Sequence, residues 1–203
     1  YALLFHPDLL QGTELAQNMR RYSYFSYDIH EALHLTEQER LILVDCLIHI
    51  QNELQHYDEQ SKYLITDYIK LVLDFCVRFY DRQFKTRTIE NHNVLARMEK
   101  LLDDYFLSSL PVQKGLPTVQ YCADKLCLSA NYLGDLVRKV TGVSALKHIH
   151  RKTLEIVKLR LDDQSKSINQ ISEELGFSSP QHFNNWFKKM EGKTPNEYRI
   201  QGH

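Results

Sequence analysis

The fold of this chain is decided near its carboxyl end, by the stretch Ile171-Ser-Glu-Glu-Leu-Gly176-Phe-Ser-Ser-Pro180-Gln-His-Phe-Asn-Asn-Trp-Phe. Apolar residues at helical spacing lead into Gly176, which can end a helix because glycine adopts a positive φ without a Cβ clash. Ser178 or Ser179 can then cap a second helix through its hydroxyl group. Pro180 falls in the first turn of that helix, where its missing N–H costs nothing. The stretch therefore predicts two helices joined by a tight glycine corner.

The second of these helices has two different faces. Phe183, Trp186, Phe187 and Met190 follow the three- and four-residue spacing of a buried face. A glycine corner followed by a helix with amides and lysines on its other face is typical of a helix-turn-helix, whose second helix enters the major groove of DNA. The polar face consists of Gln181, His182, Asn184, Asn185, Lys188 and Lys189.

The same motif occurs earlier in the chain. Leu126 and Cys127 correspond to Leu175 and Gly176 at an offset of 49 residues, and after one inserted residue the apolar face of the second helix repeats at an offset of 50. Two copies in register are much harder to obtain by accident than one. We therefore predict a first helix-turn-helix over about 118–142, a linker helix over about 145–161 and a second helix-turn-helix over about 167–192. The matched apolar pairs are Leu133 with Phe183, Leu136 with Trp186 and Val137 with Phe187.

The linker helix sets the separation of the two motifs. About 17 residues at about 1.5 Å each span roughly 25 Å. With the width of each motif added, the two second helices can reach successive major-groove segments, which lie about 34 Å apart on one side of a duplex.

Two long helices are predicted in the first half of the chain. Thr36 and Glu39 form a capping box at the start of a helix that runs to about Tyr57. A second helix, over about 58–84, carries two apolar seams, one with Leu64, Tyr68, Leu71 and Phe75 and the other with Ile65, Ile69, Val72, Cys76 and Phe79. An intrachain antiparallel pair and a homodimer both satisfy these seams, and the sequence leaves that choice open. The dimer-interface candidates are Leu43, Leu47, Ile50, Leu54, Ile65, Ile69 and Val72.

The remaining segments are less regular. Tyr1–Pro7 is apolar and compatible with the end of a strand, and residues 8–21 predict a short helix. The aromatic run Tyr22–Tyr27 favours packing under a loop over a ligand pocket. A helix is predicted over about 94–106 and a loop over 110–117, where Pro111, Gly115 and Pro117 cluster.

These elements predict an all-α fold in two parts. Residues 1–88 form a helical region suited to dimerisation, and residues 89–203 form a seven-helix domain with two helix-turn-helix motifs joined by a linker helix. Because the sequence begins at Tyr1 rather than Met, we expect it to be a fragment of a longer protein whose preceding domain ends at Pro7.

Charge supports this division. From Pro111 onward there are 14 lysine and arginine residues against 9 aspartate and glutamate residues, a net of +5. Of the totals of 25 and 26, this leaves 11 and 17 in residues 1–110, a net of −6. A basic part beside an acidic part is typical of a domain that binds a polyanion joined to a domain that does not bind one.

Several classes of protein are disfavoured. Cys46, Cys76, Cys122 and Cys127 stand singly in apolar stretches, so we expect reduced, buried thiols rather than disulfides or a zinc site. No apolar run approaches membrane-spanning length, and no signal-peptide pattern is present. These observations predict a cytoplasmic protein without a metal or other cofactor and without a membrane partner.

Leu175-Gly-Phe-Ser-x-Pro-x-His-Phe-x-x-x-Phe-Lys-Lys-x-x-Gly-x-Thr-Pro-x-x-Tyr-Arg199, with Leu128-Ser-x-x-Tyr-Leu133 and Thr141-Gly142 in the first motif, resembles the AraC/XylS family of bacterial transcription regulators. The resemblance covers about 89–203. It implies promoter-specific binding of double-stranded DNA and contact with RNA polymerase, with activation the commoner outcome. Residues 1–88 resemble the helical region that follows the β-barrel sensor of full-length relatives, with Tyr1–Pro7 as the last strand of that barrel.

The resemblance also implies which residues meet DNA. Asn131, Gly134 and Asp135 in the first motif and Gln181, His182, Asn184 and Asn185 in the second occupy base-reading positions. Asn and Gln can bond adenine N6 and N7 in a bidentate way, whereas Asp135 either accepts from cytosine N4 or forms a salt bridge on the helix surface. The candidates for phosphate contacts are Ser129, Arg138, Lys139, Ser179, Lys188, Lys189 and Lys193.

Two other functions compete with this interpretation. A repair-type DNA-binding enzyme of the same family would need a reactive cysteine cluster, and the sequence has none, nor paired carboxylates near a histidine, nor a glycine-rich phosphate loop. A protein-interaction module would use the long helices of residues 36–84 as its working surface.

Overall fold

The computed structural model describes residues 2–201, and the side chain of residue 201 is not described. The described residues are helical with no strand, so the predicted all-α class is confirmed. The chain divides into two compact units, residues 1–88 and residues 89–203. No helix of the described part is long and apolar enough to cross a membrane.

The first unit begins with short, interrupted turns rather than with a strand or one helix. Residues 2–6 take no regular secondary structure, and Tyr1 lies outside the described residues, so the strand expected over Tyr1–Pro7 is not observed in the part that can be assessed. The helix predicted over 8–21 does not form as one element, although a shorter α-helix lies within it at Glu14–Asn18. Gly12, at φ +80°, interrupts the predicted helix, and the hydroxyl group of Thr13 starts a new helix by accepting from the Ala16 N–H. The elements are 3-10 turns at Pro7–Leu10, Met19–Arg21, Ser23–Ser26 and Ile29–Glu31, with helix α1 at Glu14–Asn18.

Two long helices, α2 (Glu37–Gln55) and α3 (Ser61–Thr86), follow as an antiparallel pair. The predicted capping box of α2 is confirmed, with the Thr36 N–H donating to Glu39 Oε2 over 2.8 Å and the Glu39 N–H donating to Thr36 Oγ1 over 3.3 Å. One end of the pair is joined where the Ser61 hydroxyl donates to Glu53 over 2.6 Å. At the other end, the Arg82 guanidinium donates to both carboxylate oxygens of Glu39 over 2.9 and 2.7 Å.

The core of the first unit lies between these helices and the turns before them. Ile50 of α2 packs with Ile65 and Ile69 of α3 inside one chain, so the intrachain pair that the sequence left open is formed. Val72 is buried as well, whereas Leu54 is 58% exposed. Four of the seven dimer-interface candidates are therefore buried within a single chain, and Leu47 packs against the same core. The aromatic run packs as expected, since Tyr24 stacks on Tyr80 at 5.4 Å and its hydroxyl donates to the Leu73 carbonyl oxygen. The buried residues of this core are Leu10, Leu15, Tyr22, Ile50, Ile65, Ile69 and Leu73.

The second unit contains the two helix-turn-helix motifs. Its helices are α4 (Thr88–Leu107), α5 (Leu110–Lys114), α6 (Val119–Leu126), α7 (Ala130–Thr141), α8 (Ala145–Asp162), α9 (Ile168–Glu174), α10 (Pro180–Glu191) and α11 (Pro195–Gln201). Helix α5 stands where a loop was expected. Pro111 lies in its first turn and Gly115, at φ +79°, ends it, so the same residues that suggested a loop delimit a five-residue helix.

One apolar cluster holds the second motif to α4 and α8. Tyr105 and Phe106 of α4, Val157 and Leu161 of α8 and Phe183 of α10 are all buried in it. Because α8 contributes to this cluster and also contacts α6 and α7, it is a packed part of both motifs rather than a free rod. The other buried members of the cluster are Ile171, Leu175, Phe177 and Phe187.

Candidate nucleic-acid interface

Helix α10 presents a buried face and a polar face, as its sequence predicted. Phe183 and Phe187 are fully buried, and Phe183 meets the ring of Phe177 at 4.9 Å. Ser179, and not Ser178, caps the helix, because its hydroxyl accepts from the His182 N–H over 3.1 Å. Gly192, at φ +85°, ends it. These contacts fix the rotation of α10 about its axis and so decide which side chains face outward.

Four predicted base-reading residues lie on this outward face. Gln181, His182 and Asn185 are exposed, and Asn184 is half-buried. The Gln181 amide donates to Asn185 Oδ1 over 3.1 Å. His182 Nδ1 lies 3.0 Å from the Ser178 hydroxyl, and its ring meets Phe177 edge-on at 5.7 Å. The side chains at 181, 182 and 185 are therefore held in place by one another and by the corner, although each is open to solvent.

Helix α7 has the same construction in the first motif. The Ser129 hydroxyl accepts from the Tyr132 N–H over 3.2 Å, and Gly142, at φ +73°, ends the helix. Asn131 is exposed, whereas Asp135 is half-buried and already has a partner within the chain. A Cβ at Gly134 would meet no described atom within 4 Å, so this position leaves open space beside the polar face.

The corners of the two motifs have the same backbone conformation, but they are occupied by different residue types. Gly176 lies at φ +79°, and Cys127, its counterpart, lies at φ +56°. The Cys127 N–H bonds back to the carbonyl oxygens of Ala123 and Asp124 and closes α6. Cys127 is exposed, so its expected burial is wrong, whereas burial raises the pKa of the Cys122 thiol to about 11.

The sequence interpretation missed the contact that explains Gly176. A Cβ added there would lie 2.2 Å from the Pro111 carbonyl oxygen and 2.7 Å from its carbonyl carbon. Helix α5 thus packs its backbone directly on the corner of the second motif. The proline in the first turn of α5 and the glycine at its end were a signal of this helix, although nothing local indicated where it packs.

The predicted phosphate-contacting residues fall into two kinds of position. Ser129 and Ser179 cap the N-termini of α7 and α10, where the helix dipole favours an anion. The cations stand in the last turns or just beyond. Arg138, Lys139, Lys188 and Lys189 are exposed, whereas Lys193 is half-buried with its ammonium group 5.1 Å from the centre of the Tyr198 ring.

Helix α8 holds α10 and α4 by ion pairs. Lys158 pairs with Glu191 at the end of α10 over 2.7 Å, and Lys152 pairs with Asp103 of α4 over 2.9 Å. The hydrogen bond to Asp103 raises the pKa of Lys152. With 18 residues, α8 is about 27 Å long.

His150 and Trp186 meet between α8 and α10. The two rings stand edge to face with centres 6.0 Å apart, and Trp186 Nε1 is buried without a hydrogen-bond partner among the described residues. Burial, and secondarily the charge of Lys189, lowers the pKa of His150. Protonation of His150 would thus place a charge in an apolar contact behind the polar face of α10.

One group of side chains in the described residues has the spacing of a metal site. Ligand atoms of Asp28, His30 and Glu31 lie within 4.8 Å of one another. The Glu31 carboxylate already accepts from the Asp28 N–H over 2.7 Å, so it caps the short turn at Ile29–Glu31. This local capping accounts for the group without an ion.

Comparison with known proteins identifies the type of domain that carries these two motifs. A helix-turn-helix domain model matches residues 122–201. The HTH-type transcriptional regulator YtdP of Bacillus subtilis is 26% identical over 149 residues, which are 73% of this chain and 18% of that protein. The transcriptional regulatory protein YesN of Bacillus subtilis is 37% identical over 81 residues, 37% of this chain and 21% of that protein. The melibiose operon regulatory protein of Escherichia coli is 27% identical over 152 residues, 73% of this chain and 50% of that protein.

The chain spans at most half the length of these three relatives. They are named as transcription regulators rather than as enzymes. The duplicated corner, the capped second helices and these matches lead to one assignment: residues 122–201 are a helix-turn-helix domain of the AraC type, and the relatives that the chain matches are AraC/XylS-family transcriptional regulators.

Proposed function

We propose that the chain binds double-stranded promoter DNA by placing α7 and α10 in successive segments of the major groove. The observation that carries this proposal is the shared construction of the two helices. Each starts at a serine cap, ends at a left-handed glycine and turns a polar face outward. The separation set by α8, about 27 Å plus the width of the motifs, is compatible with one helical turn of a duplex, about 34 Å.

Base recognition is assigned to the exposed amides. Gln181 and Asn185 already orient each other, so their remaining donors and acceptors point outward together, and each has the pattern that matches adenine N6 and N7. Asn131, Asn184 and His182 complete the base-reading set. Asp135 fits a cytosine N4 donor less well, because it already has a partner within the chain.

Phosphate contacts are assigned to the serine caps and the exposed cations. Each capping hydroxyl accepts from its own helix and lies at a helix N-terminus, where the helix dipole favours a phosphate. Arg138, Lys139, Lys188 and Lys189 supply the positive charge that displaces counterions. Lys193 belongs to this set by sequence, although its position over Tyr198 favours a packing role.

The cellular location, the oligomeric state and the effect on transcription are proposed by analogy with the AraC/XylS regulators that the chain resembles. The protein acts in the cytoplasm on a bacterial promoter, works as a homodimer and activates transcription by contact with RNA polymerase. Residues 1–88 would supply the dimer contacts. Neither a metal nor a cofactor is needed for any of these roles.

A binding experiment on the full chain tests the proposal. Sites are first selected from a random duplex library, and affinity is then measured by fluorescence anisotropy against the selected site and a scrambled duplex. We expect log affinity to fall linearly with log salt, by about 0.9 per phosphate contacted. Replacing Gln181 and Asn185 by alanine should cost about 1–3 kcal/mol of discrimination for each bidentate hydrogen-bonded pair with a base that the replacement removes.

The matched control is Gln120→Ala. Gln120 makes the same i,i+4 hydrogen bond, to Asp124 over 2.7 Å, on the exposed face of α6. This variant should keep both affinity and discrimination. Affinity that is insensitive to salt, or discrimination that survives the double replacement, would overturn the proposal.

A further inference from the structure

Helices α4 and α8 lie side by side in the second unit and are joined by two acid–base pairs. His148 Nε2 of α8 lies 3.4 Å from Glu99 Oε1 of α4, and Lys152 Nζ lies 2.9 Å from Asp103 Oδ1. The two residues of each pair are 49 positions apart in the sequence. Because that spacing stays constant from one pair to the next, the two helices run in the same direction and present a regular row of paired side chains.

One turn beyond the second pair, the two helices line a groove with a volume of about 410 Å³. Leu107 and Ile156, again 49 positions apart, continue the row there with apolar side chains. Phe106 is buried beside them, whereas Leu107 and Leu159 are 78% and 71% exposed. Sites for small molecules have volumes of about 300–1,000 Å³ and mostly apolar walls, so the groove has the size and lining of such a site. The lining residues are Asp103, Phe106, Leu107, Ile156, Leu159 and Arg160.

Arg160 lines this groove without a partner of its own. Its side chain is half-buried, and its guanidinium forms no ion pair or hydrogen bond with any residue that the structure describes. Helix α4 has already ended, and the residue 49 positions before Arg160 is Pro111, which has no carboxylate. Asp103, the acid in the groove, is paired with Lys152. The row of acid–base pairs therefore finishes on a base that lacks its acid.

The chemistry of the groove indicates what would complete the row. A guanidinium presents its N–H groups in a planar fork that matches the two oxygens of a carboxylate, so the two groups form a bidentate pair. Leu107 and Leu159 would be covered by an apolar body attached to that carboxylate. A phosphate ion would satisfy the charge of Arg160 but leave both leucines in water, and a neutral apolar molecule would leave the guanidinium without a partner.

The geometry points to a binding site for a small organic carboxylate with an apolar body in this groove, with Arg160 as the residue that binds its carboxylate. The site shares no residue with the surface assigned to DNA, so it adds to the proposed function. Helix α8 also contacts helices of both helix-turn-helix motifs, so the ligand would bind to the element that separates them. Because its test needs no DNA, its failure would leave the DNA-binding proposal standing.

Titration of the isotope-labelled full chain, followed by nuclear magnetic resonance, measures both the affinity and the place of binding. The probe is phenylbutyrate, and phenylbutanol and phenylbutylamine are matched compounds with the same apolar body but a neutral and a cationic head. We expect phenylbutyrate to bind about tenfold more tightly than the alcohol, because hydrogen bonds to charged groups are the stronger ones, and the amine not to bind. The amide shifts should be largest at the end of α4 and in the last two turns of α8.

Two variants and one control test the role of the arginine. Arg160→Gln should lower the affinity for phenylbutyrate about tenfold, to that of the alcohol, and leave the affinity for the alcohol unchanged. Leu107→Glu should abolish the binding of phenylbutyrate, because it sets a like charge beside the ligand. Arg151→Gln is the matched control, since Arg151 is exposed on the same helix but lies outside the groove, and it should bind as the wild type does. Circular dichroism verifies that each variant is folded.

Several outcomes would overturn the inference. They are the absence of binding by phenylbutyrate, equal affinities for phenylbutyrate and the alcohol, shifts centred away from the groove, and an Arg160→Gln variant that binds as the wild type does. Should Leu107→Glu fail to fold, Arg160→Gln alone decides, because the half-buried guanidinium has no described partner to lose.

Discussion

Gly176 and Pro111 are in direct backbone contact, since a methyl group on the Cα atom of Gly176 would lie 2.2 Å from the Pro111 carbonyl oxygen. The corner of the second helix-turn-helix therefore needs glycine for two reasons, its φ of +79° and the backbone of α5 lying against it. The corner of the first motif does not require glycine, because Cys127 occupies the equivalent position.

Gly176→Ala should destabilise the second unit by about 2–4 kcal/mol. About 1–2 kcal/mol comes from placing a Cβ in the left-handed region, and the rest from displacing the Pro111 backbone. Thermal unfolding followed by the fluorescence of Trp186, the single tryptophan, reports on this part of the chain.

Gly142→Ala is the control for the backbone term alone. Gly142 lies at φ +73°, but a Cβ there meets no described atom within 4 Å. This variant should lose only about 1 kcal/mol of the free energy of unfolding. Equal losses of stability for the two variants would show that the contact with Pro111 contributes nothing.

Cys127→Gly should stabilise the protein by about 0.5–1 kcal/mol. A non-glycine residue at φ +56° carries a left-handed penalty of about 1–2 kcal/mol, and the greater entropy of unfolded glycine offsets only part of it. The backbone bonds to Ala123 and Asp124 remain. Thermal unfolding checks the sign, and a lower midpoint for the glycine variant would contradict this account of the corner.

Lys188→Gln and Lys193→Gln should have different effects. Lys188 is exposed, so its replacement should weaken binding equally for all duplexes, lower the salt slope by about 0.9 and leave stability unchanged. Lys193 lies over Tyr198, so its replacement should lower stability by less than about 1 kcal/mol and leave the slope unchanged. Salt titrations by anisotropy, together with thermal unfolding, separate the two. A reversed pattern would assign the phosphate contact to Lys193.

Acidification should destabilise the contact between α8 and α10 through His150. Its pKa is lowered in the folded protein, first by burial and then by Lys189, so the unfolded chain binds the proton more tightly. The neutral imidazole is the favoured form in the fold, and stability should fall as the pH drops below the ordinary histidine pKa of about 6.5 and level off below the folded pKa. Thermal unfolding across this range measures the effect.

His150→Gln should make that pH dependence shallower, and Lys189→Gln should raise the pKa of His150. Nuclear magnetic resonance titration of the histidine rings measures the second effect, with the resonances of His150 assigned from the glutamine variant. An unchanged pH dependence in His150→Gln would assign the acid sensitivity to another group.

Local signals carried much of the sequence interpretation. The hydroxyl cap at Thr36, the cap at Ser178 or Ser179 and the left-handed Gly176 depend on a few adjacent residues and their φ preferences, so they can be predicted without the rest of the chain. The buried face of α10 follows in the same way from residue spacing, because the period of the helix fixes which side chains share a side.

The sequence by itself thus determined the all-α class and the duplicated motif with its polar outer helices. The tertiary structure decided that α5 packs on Gly176 and which seam of α3 is buried within the chain. Both α3 seams have helical spacing and similar apolar content, so only the packing of α2 and the preceding turns distinguishes the one centred on Ile69 from the one centred on Leu71. Contacts between distant segments make that choice, and no local pattern contains them.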